Sequence, residues 1–403
     1  MRSPLPWLLA GILLLTADPA RAVPPGGSFE SFDRQARLGA RLKVVFFGGP
    51  FTDGVGLVDI DKDSWRERFQ QFLVARYPRA AFHFDLVSMG DTGSKRAMFH
   101  TRDLIDGMKP DLVFVDFLIE DGIQGENRDA LAAYESILRD LAYAGVPIMQ
   151  VFTGISAVQG KFWKPVLPQR LRDYLEFVTL YRTGVGESHH GLHQVLASRQ
   201  YTMDDIWPHN AMYPAAIGHD LIFASLRDGF LEAVAQKRVG MYPYQPAFSW
   251  LYNSRQKINL AEFPLPDGWI RSPASLPLAV ISGAPDGGDL VMWASGGEQT
   301  IRPLRLDFSG TLVAIYGEAT SDSLEFKATI DGKTVSPPAS PDKKTRSHWA
   351  LPKPKADSEQ TAFWIELTSR LSSGPHSLEL TPVVDDSGRL GQLRIRSIFI
   401  AGE

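Results

Sequence analysis

The first long apolar block of the chain, "LKVVFF" (42–47), runs without a polar break into Gly48-Gly49. A continuous apolar run of that length predicts a strand buried on both faces. The period then changes. Trp65, Phe69, Phe72 and Leu73 recur at helical spacing, Ser64 and Glu67 form an S-x-x-E start signal, and Pro78 closes the segment. "FHFDLVS" (82–88), "DLVFVDF" (111–117) and "VPIMQVF" (146–152) predict three more strands. Between them, helices are expected over roughly 95–107 and 128–144, the second with Leu131, Tyr134, Leu138 and Leu141 on one side and Gly145 at its end.

Strands alternating with helices predict an α/β domain, a doubly wound parallel sheet covered on both faces. Ligands of such sheets bind beyond the carboxyl ends of the strands. The loops "GGPFTDG" (48–54), "MGDTGS" (89–94) and "LIEDG" (118–122) each follow a strand, so they should gather on one edge. From about residue 240 the pattern shifts. "MYPYQPAFSWLYN" reads as an ordered connector, and after 270 come short apolar or alternating runs bounded by turn residues, with "IDGK" as a hairpin signal. An antiparallel β-sandwich of jelly-roll type is expected there. Trp293, Tyr316, Trp349 and Trp364 are either its core or stacking surfaces for sugar rings.

The N-terminus adds an address. Arg2, the apolar stretch Trp7–Thr16 and Ala20-Arg21-Ala22 have the layout of a secretory signal peptide cleaved after Ala22. The expected organisation is a signal peptide (1–22), an α/β domain (23–237), a connector (238–270) and a β-sandwich (271–403). Export to a bacterial periplasm or beyond follows, with no stable membrane insertion after cleavage. The 403 residues carry 42 basic and 46 acidic side chains, a formal charge of −4, which argues against nucleic acid as a partner. Cleavage leaves 40 basic against 45 acidic residues, a charge of −5. The chain has no cysteine, which excludes disulfides and lipid attachment through one.

The ordered motifs of residues 40–235 resemble the SGNH (GDSL-type) hydrolase family, above all its secreted bacterial members that act on acylated carbohydrates. The resemblance implies a flavodoxin-like three-layer domain and a site built from four motifs. In the family, a Gly-Gly-Ser-x-Thr-x-Gly-like loop after the first strand carries the nucleophile. Here Gly48, Gly49, Thr52 and Gly54 match, but Pro50 stands at the serine position. Gly90 matches the glycine whose N–H helps to form the oxyanion hole. Glu120, followed by Asp121, stands where the family has asparagine before aspartate. In "NAMYPAAIGHDL", Pro214, Gly218 and His219 match, while Asn210 and Tyr213 occupy the aspartate and histidine positions.

Acyl transfer on that template needs a hydroxyl nucleophile with an adjacent base, donors aimed at the oxyanion, and a carboxylate that orients the base. Pro50 offers neither a nucleophile nor a backbone N–H. Tyr213 is a poor base at neutral pH, and an ionised Glu120 only accepts hydrogen bonds. No catalytic residue is therefore assigned at these positions. Thr52, Asp53, Gly90, Glu120, Asp121 and Tyr213 are the candidate ligand contacts. Each also has a plainer reading as a turn residue, a buried aromatic or a solvated pair.

A rescue of catalysis would run through His209, four residues before Tyr213, with Asp205 behind it, or through Glu120 or Asp121 acting on water. Ser188 beside His189 does not form a dyad, because adjacent side chains point apart. His189 and His193 share a helical face without an H-E-x-x-H pattern. No metal and no cofactor is expected. Three functions stay open: a catalytically degenerate protein that binds a carbohydrate or acylated polysaccharide, a divergent esterase or acetyltransferase with relocated catalytic residues, and a structural or partner-binding module.

Overall fold

The structure, a computed structural model, describes residues 27–123, 127–153, 169–208, 213–274, 289–294, 301–338, 347–354, 359–384 and 391–402. Residues 1–22, expected to be a signal peptide, and His209 and Asn210 lie outside these ranges.

Five parallel strands form the first sheet: β1 (Arg41–Gly48), β2 (Ala81–Ser88), β3 (Leu112–Asp116), β4 (Ile148–Phe152) and β5 (Gly184–Glu187), in the order β2-β1-β3-β4-β5. β1, β3 and β4 are apolar blocks buried along almost their whole length, as expected of central parallel strands. β5 has no counterpart in the sequence reading. Its four residues, "GVGE", carry only one apolar side chain, so no block announces it. Gly186 serves close packing by Leu226 of the Ala216–Ala235 helix, while Gly184 lies against Met149 and Phe29. A Cβ on Gly229 of that helix would sit 1.7 Å from the Val185 carbonyl oxygen.

The Trp65–Arg76 helix starts where Ser64 marks it, with Ser64 Oγ accepting from the Glu67 N–H at 3.2 Å. The reciprocal half of the capping box is missing because the Ser64 N–H already donates to the Ile60 carbonyl. Glu67 instead pairs with Arg66 and Gln70. The helix expected over 95–107 is two helices, Gly93–Ala97 and Thr101–Met108, separated by a turn at Met98–His100. The helix expected over 128–144 spans Asn127–Tyr143.

The second domain is a pair of antiparallel sheets. One joins β6 (Ser254–Asn259), β7 (Trp269–Pro273), β8 (Asp289–Ala294), β10 (Leu312–Thr320), β13 (Gln360–Thr368) and β15 (Gln392–Gly402). The other joins β9 (Leu304–Ser309), β11 (Glu325–Ile330), β12 (Lys333–Val335) and β14 (Pro375–Val383). Asp331 and Gly332, both at positive φ, turn β11 into β12 at the "IDGK" signal. The span read as a connector contains β6, which pairs with β15. Its sequence, "SRQKIN", has one apolar residue and gives no strand pattern.

β9 alternates buried and exposed residues, whereas β10 and β15 are buried nearly throughout. The reason is that β10 and β15 are covered on both faces. Val313, Ile315, Ile398 and Ile400 face the sandwich interior. Leu312, Ala314, Tyr316 and Phe399 join the core formed by the Asn127–Tyr143 helix and one face of the parallel sheet. The two domains therefore share a continuous apolar core. Trp293, Tyr316 and Trp349 are buried in these cores and present no free stacking face, whereas Trp364 is half-buried and packs on Phe399 at 4.8 Å.

Candidate functional site

The three loops do meet beyond the carboxyl ends of β1, β2 and β3. β1 passes through Gly49 into a single helical turn, Pro50–Asp53, with Pro50 at its first position. Proline suits that position because the N–H it lacks has no partner there anyway. Pro50, Phe51 and Thr52 are all buried. A Cβ on Gly49 would meet Glu120 Oε1 at 2.5 Å, so the Glu120 carboxyl lies directly against the Gly49 backbone.

Asp116, the last residue of β3, accepts a hydrogen bond from Thr52 Oγ1 at 2.6 Å through Oδ2, while its Oδ1 has no partner. Burial is the main reason its pKa rises to about 7; the Thr52 bond pulls the other way and the Asp53 charge adds to the rise. Glu120 is 1% exposed, and neither carboxyl oxygen meets hydrogen-bond geometry. The N–H groups of Glu120 itself and Phe51 favour its charged form only weakly. Burial, followed by the charge of Asp116, holds it well above the ordinary carboxyl range.

Asp121 is the opposite case. Oδ1 accepts from the Ser94 N–H at 2.7 Å, and Oδ2 accepts from Ser94 Oγ and Tyr174 OH, both at 2.6 Å. Burial still lifts its pKa to about 6 against these donors. Ser88 Oγ donates to Asp53 Oδ2 at 2.6 Å and accepts from the Gly90 N–H at 3.3 Å. The glycine N–H that the resemblance assigns to the oxyanion hole is thus held within the loop itself.

Tyr213 is buried in the core cluster that contains Phe51, Trp65 and Trp207. His219 is fully buried, accepts the Trp65 N–H at its Nδ1 (3.2 Å) and packs against the Phe51 ring at 4.9 Å. Burial, with some help from the Arg68 charge, depresses its pKa to about 3 and leaves it too weak to act as a general base. Asp205 caps the short Met203–Ile206 helix, where its Oδ2 accepts from the Thr202 N–H and hydroxyl at 2.8 and 2.7 Å. Its carboxylate is committed to that cap instead of orienting a histidine. Ser188 and His189 follow β5; Ser188 Oγ donates to the Phe152 carbonyl at 3.4 Å.

Of the six candidate ligand contacts, Thr52, Glu120, Asp121 and Tyr213 are buried by protein, and only Asp53 and Gly90 are partly exposed. The reading of Glu120 and Asp121 as a solvated pair is likewise corrected, since both carboxyls lie inside the fold. Among the described residues, no group of three ligating side chains is placed to hold a metal ion. Asp116 and Tyr174 complete the cluster without having been singled out, and Ser94, which flanks Gly90 away from the nucleophile position, joins them. The available signal was a charge at the end of the apolar run "LVFVD".

Chemically, the tips of β1–β3 hold acids and hydroxyls paired with one another: Thr52 with Asp116, Ser88 with Asp53, Ser94 with Asp121. No imidazole stands beside any of these hydroxyls among the described residues.

The sequence matches no family model and no curated protein. Among solved structures, 94% of the chain aligns with 98% of a two-domain esterase active on acetylated mannans, at a TM-score of 0.67 and 12% identity. The same type of enzyme co-crystallised with mannopentaose aligns over 94% of this chain and 97% of its own, again at 0.67 and 12%. The fold is therefore that of this two-domain esterase, a five-stranded parallel α/β domain joined to a domain of antiparallel sheets. Among the described residues, no helix is long and apolar enough to cross a membrane.

Proposed function

We propose that this chain is an exported SGNH-fold protein that has lost ester hydrolysis and binds a carbohydrate or acylated polysaccharide, as an accessory in envelope or exopolysaccharide modification. One observation carries the loss of chemistry. Pro50 occupies the strand tip with the Glu120 carboxyl packed against Gly49, so the position has no nucleophile and no room for one from the neighbouring residue. The carbohydrate reading is supported by the likeness, along both domains, to an esterase active on acetylated mannans.

The test is binding of the purified mature chain to a panel of neutral, acetylated and acidic polysaccharides, by glycan array and then calorimetry. Saturable binding to a polysaccharide supports the reading, and absence of binding across the panel removes it. A second reading, a structural or partner-binding module, is favoured by the burial of Thr52, Glu120 and Tyr213, which fill the family's site with side chains. That reading expects no glycan binding and recovery of a defined protein partner from the exporting cell.

A further inference from the structure

A cavity of about 630 Å³ opens far from the strand tips, where the Thr101–Met108 and Asn127–Tyr143 helices meet the segment leading into β6. Its size is that of a site for a small organic ligand. The Asn127–Tyr143 helix runs back from the carboxyl end of β3 to the amino end of β4, so its last turns, with Arg139, Asp140 and Tyr143, lie at the opposite end of the sheet.

Three arginines line this cavity, Arg102, Arg139 and Arg255, against two carboxylates, Asp106 and Asp140. Asp140 is taken up by Arg255, whose Nη2 reaches its two oxygens at 2.8 and 2.7 Å. Arg139 donates to the Pro243 carbonyl and the Tyr242 hydroxyl and lies over the Tyr242 ring at 4.3 Å. Both of those acceptors are neutral, and no described carboxylate forms an ion pair with Arg139. Arg102 reaches outward, its side chain 65% exposed, and touches Asp140 only at 3.6 Å. The wall between them is aromatic: Tyr143, 52% exposed, stands edge-on to Tyr242 at 5.5 Å.

A positive cavity in a chain of net charge −4 selects for an anion. Guanidinium groups offer planar paired donors that match a carboxylate, and an exposed tyrosine ring offers an apolar face with a polar edge. We propose that this junction is a second binding site, for an acidic oligosaccharide whose sugar carboxylate sits between Arg102 and Arg139 and whose ring lies on Tyr143. The choice of a saccharide rests on the carbohydrate reading above; the anion requirement rests on the cavity alone.

The experiment is calorimetric titration of the full mature chain with tetragalacturonate, with neutral mannotetraose and inorganic phosphate as separate arms. The same titrations are repeated on Arg102→Gln and Tyr143→Ala, both exposed positions whose variants are checked by thermal melting. Tetragalacturonate should bind the wild type, bind each variant at least about tenfold more weakly, and weaken as salt is raised. Mannotetraose should respond to neither substitution, so neutral-glycan binding with no response to tetragalacturonate would sink this inference and leave the general reading standing. Unchanged tetragalacturonate affinity in both variants, or its full displacement by phosphate at equal concentration, also overturns the proposal.

Discussion

Glu120 and Asp121 sit side by side in one helical turn, and both are buried, yet their surroundings treat them in opposite ways. Three donors converge on Asp121 and tie the 93–97 helix and Tyr174 to the tip of β3. Glu120 meets a glycine backbone and another buried acid, with no partner for either oxygen. Hydrogen bonds strengthened by low dielectric make the first carboxyl a clasp, and the same low dielectric makes the second a cost. Being a buried acid therefore does not by itself mark a site residue. What separates structure from function here is whether donors are arranged around it.

The contrast is sharpest in stability. Asp121→Ala removes the acceptor for three buried donors and should lower the unfolding free energy by about 3 kcal/mol, measured by urea denaturation. Glu120→Met keeps the volume and removes an unpartnered carboxyl. It should raise stability by roughly 2 kcal/mol at pH 8, and a loss there comparable to that of Asp121→Ala would erase the distinction.

The gain from Glu120→Met should also depend on pH. Glu120 and Asp116 hold their protons in the fold to higher pH than in the unfolded chain, where carboxyls ionise near 3.8 to 4.5. The folded state thus binds more protons between about pH 4 and 7, and the contribution of these groups falls as pH rises through that window. His219 works in reverse, losing its contribution as pH drops below 6.5, so the informative quantity is the difference between wild type and variant. That difference should shrink by more than half between pH 8 and pH 5.

Thr52→Val is a smaller probe. It removes the only hydrogen bond to the Asp116 carboxyl among the described residues and should cost about 1 kcal/mol, with the fluorescence-detected melting midpoint as readout. Pro50→Ser should have the least effect on activity. A serine there has no imidazole beside it among the described residues to take its proton, so ester hydrolysis should stay at background.

The sequence carried the parallel sheet and the meeting of the three loops because apolar blocks and their glycine-rich exits leave a local trace. β5 and β6 left none. One is half glycine, and the other is a polar strand recruited by β15 through backbone pairing. At the site, the residue types at Pro50, Glu120 and Tyr213 were readable one by one. The pairing of Thr52 with Asp116 and of Ser94 with Asp121 was not, because partners 64 and 27 residues apart share no local pattern. Nor did side-chain type decide burial: the aromatics of the sandwich could be read as core or as stacking surface, and the acids of the strand tips as ligand contacts or a solvated pair.

The central claim, that the strand tips of this fold no longer perform ester hydrolysis, is tested most directly by acetate release. The purified mature chain is incubated with acetylated mannan and with a small activated acetyl ester, beside a heat-denatured sample. The account predicts release no faster than that of the denatured control across pH 5 to 9. Turnover above that control, abolished by Glu120→Gln, would contradict it and make the buried acid a catalytic residue.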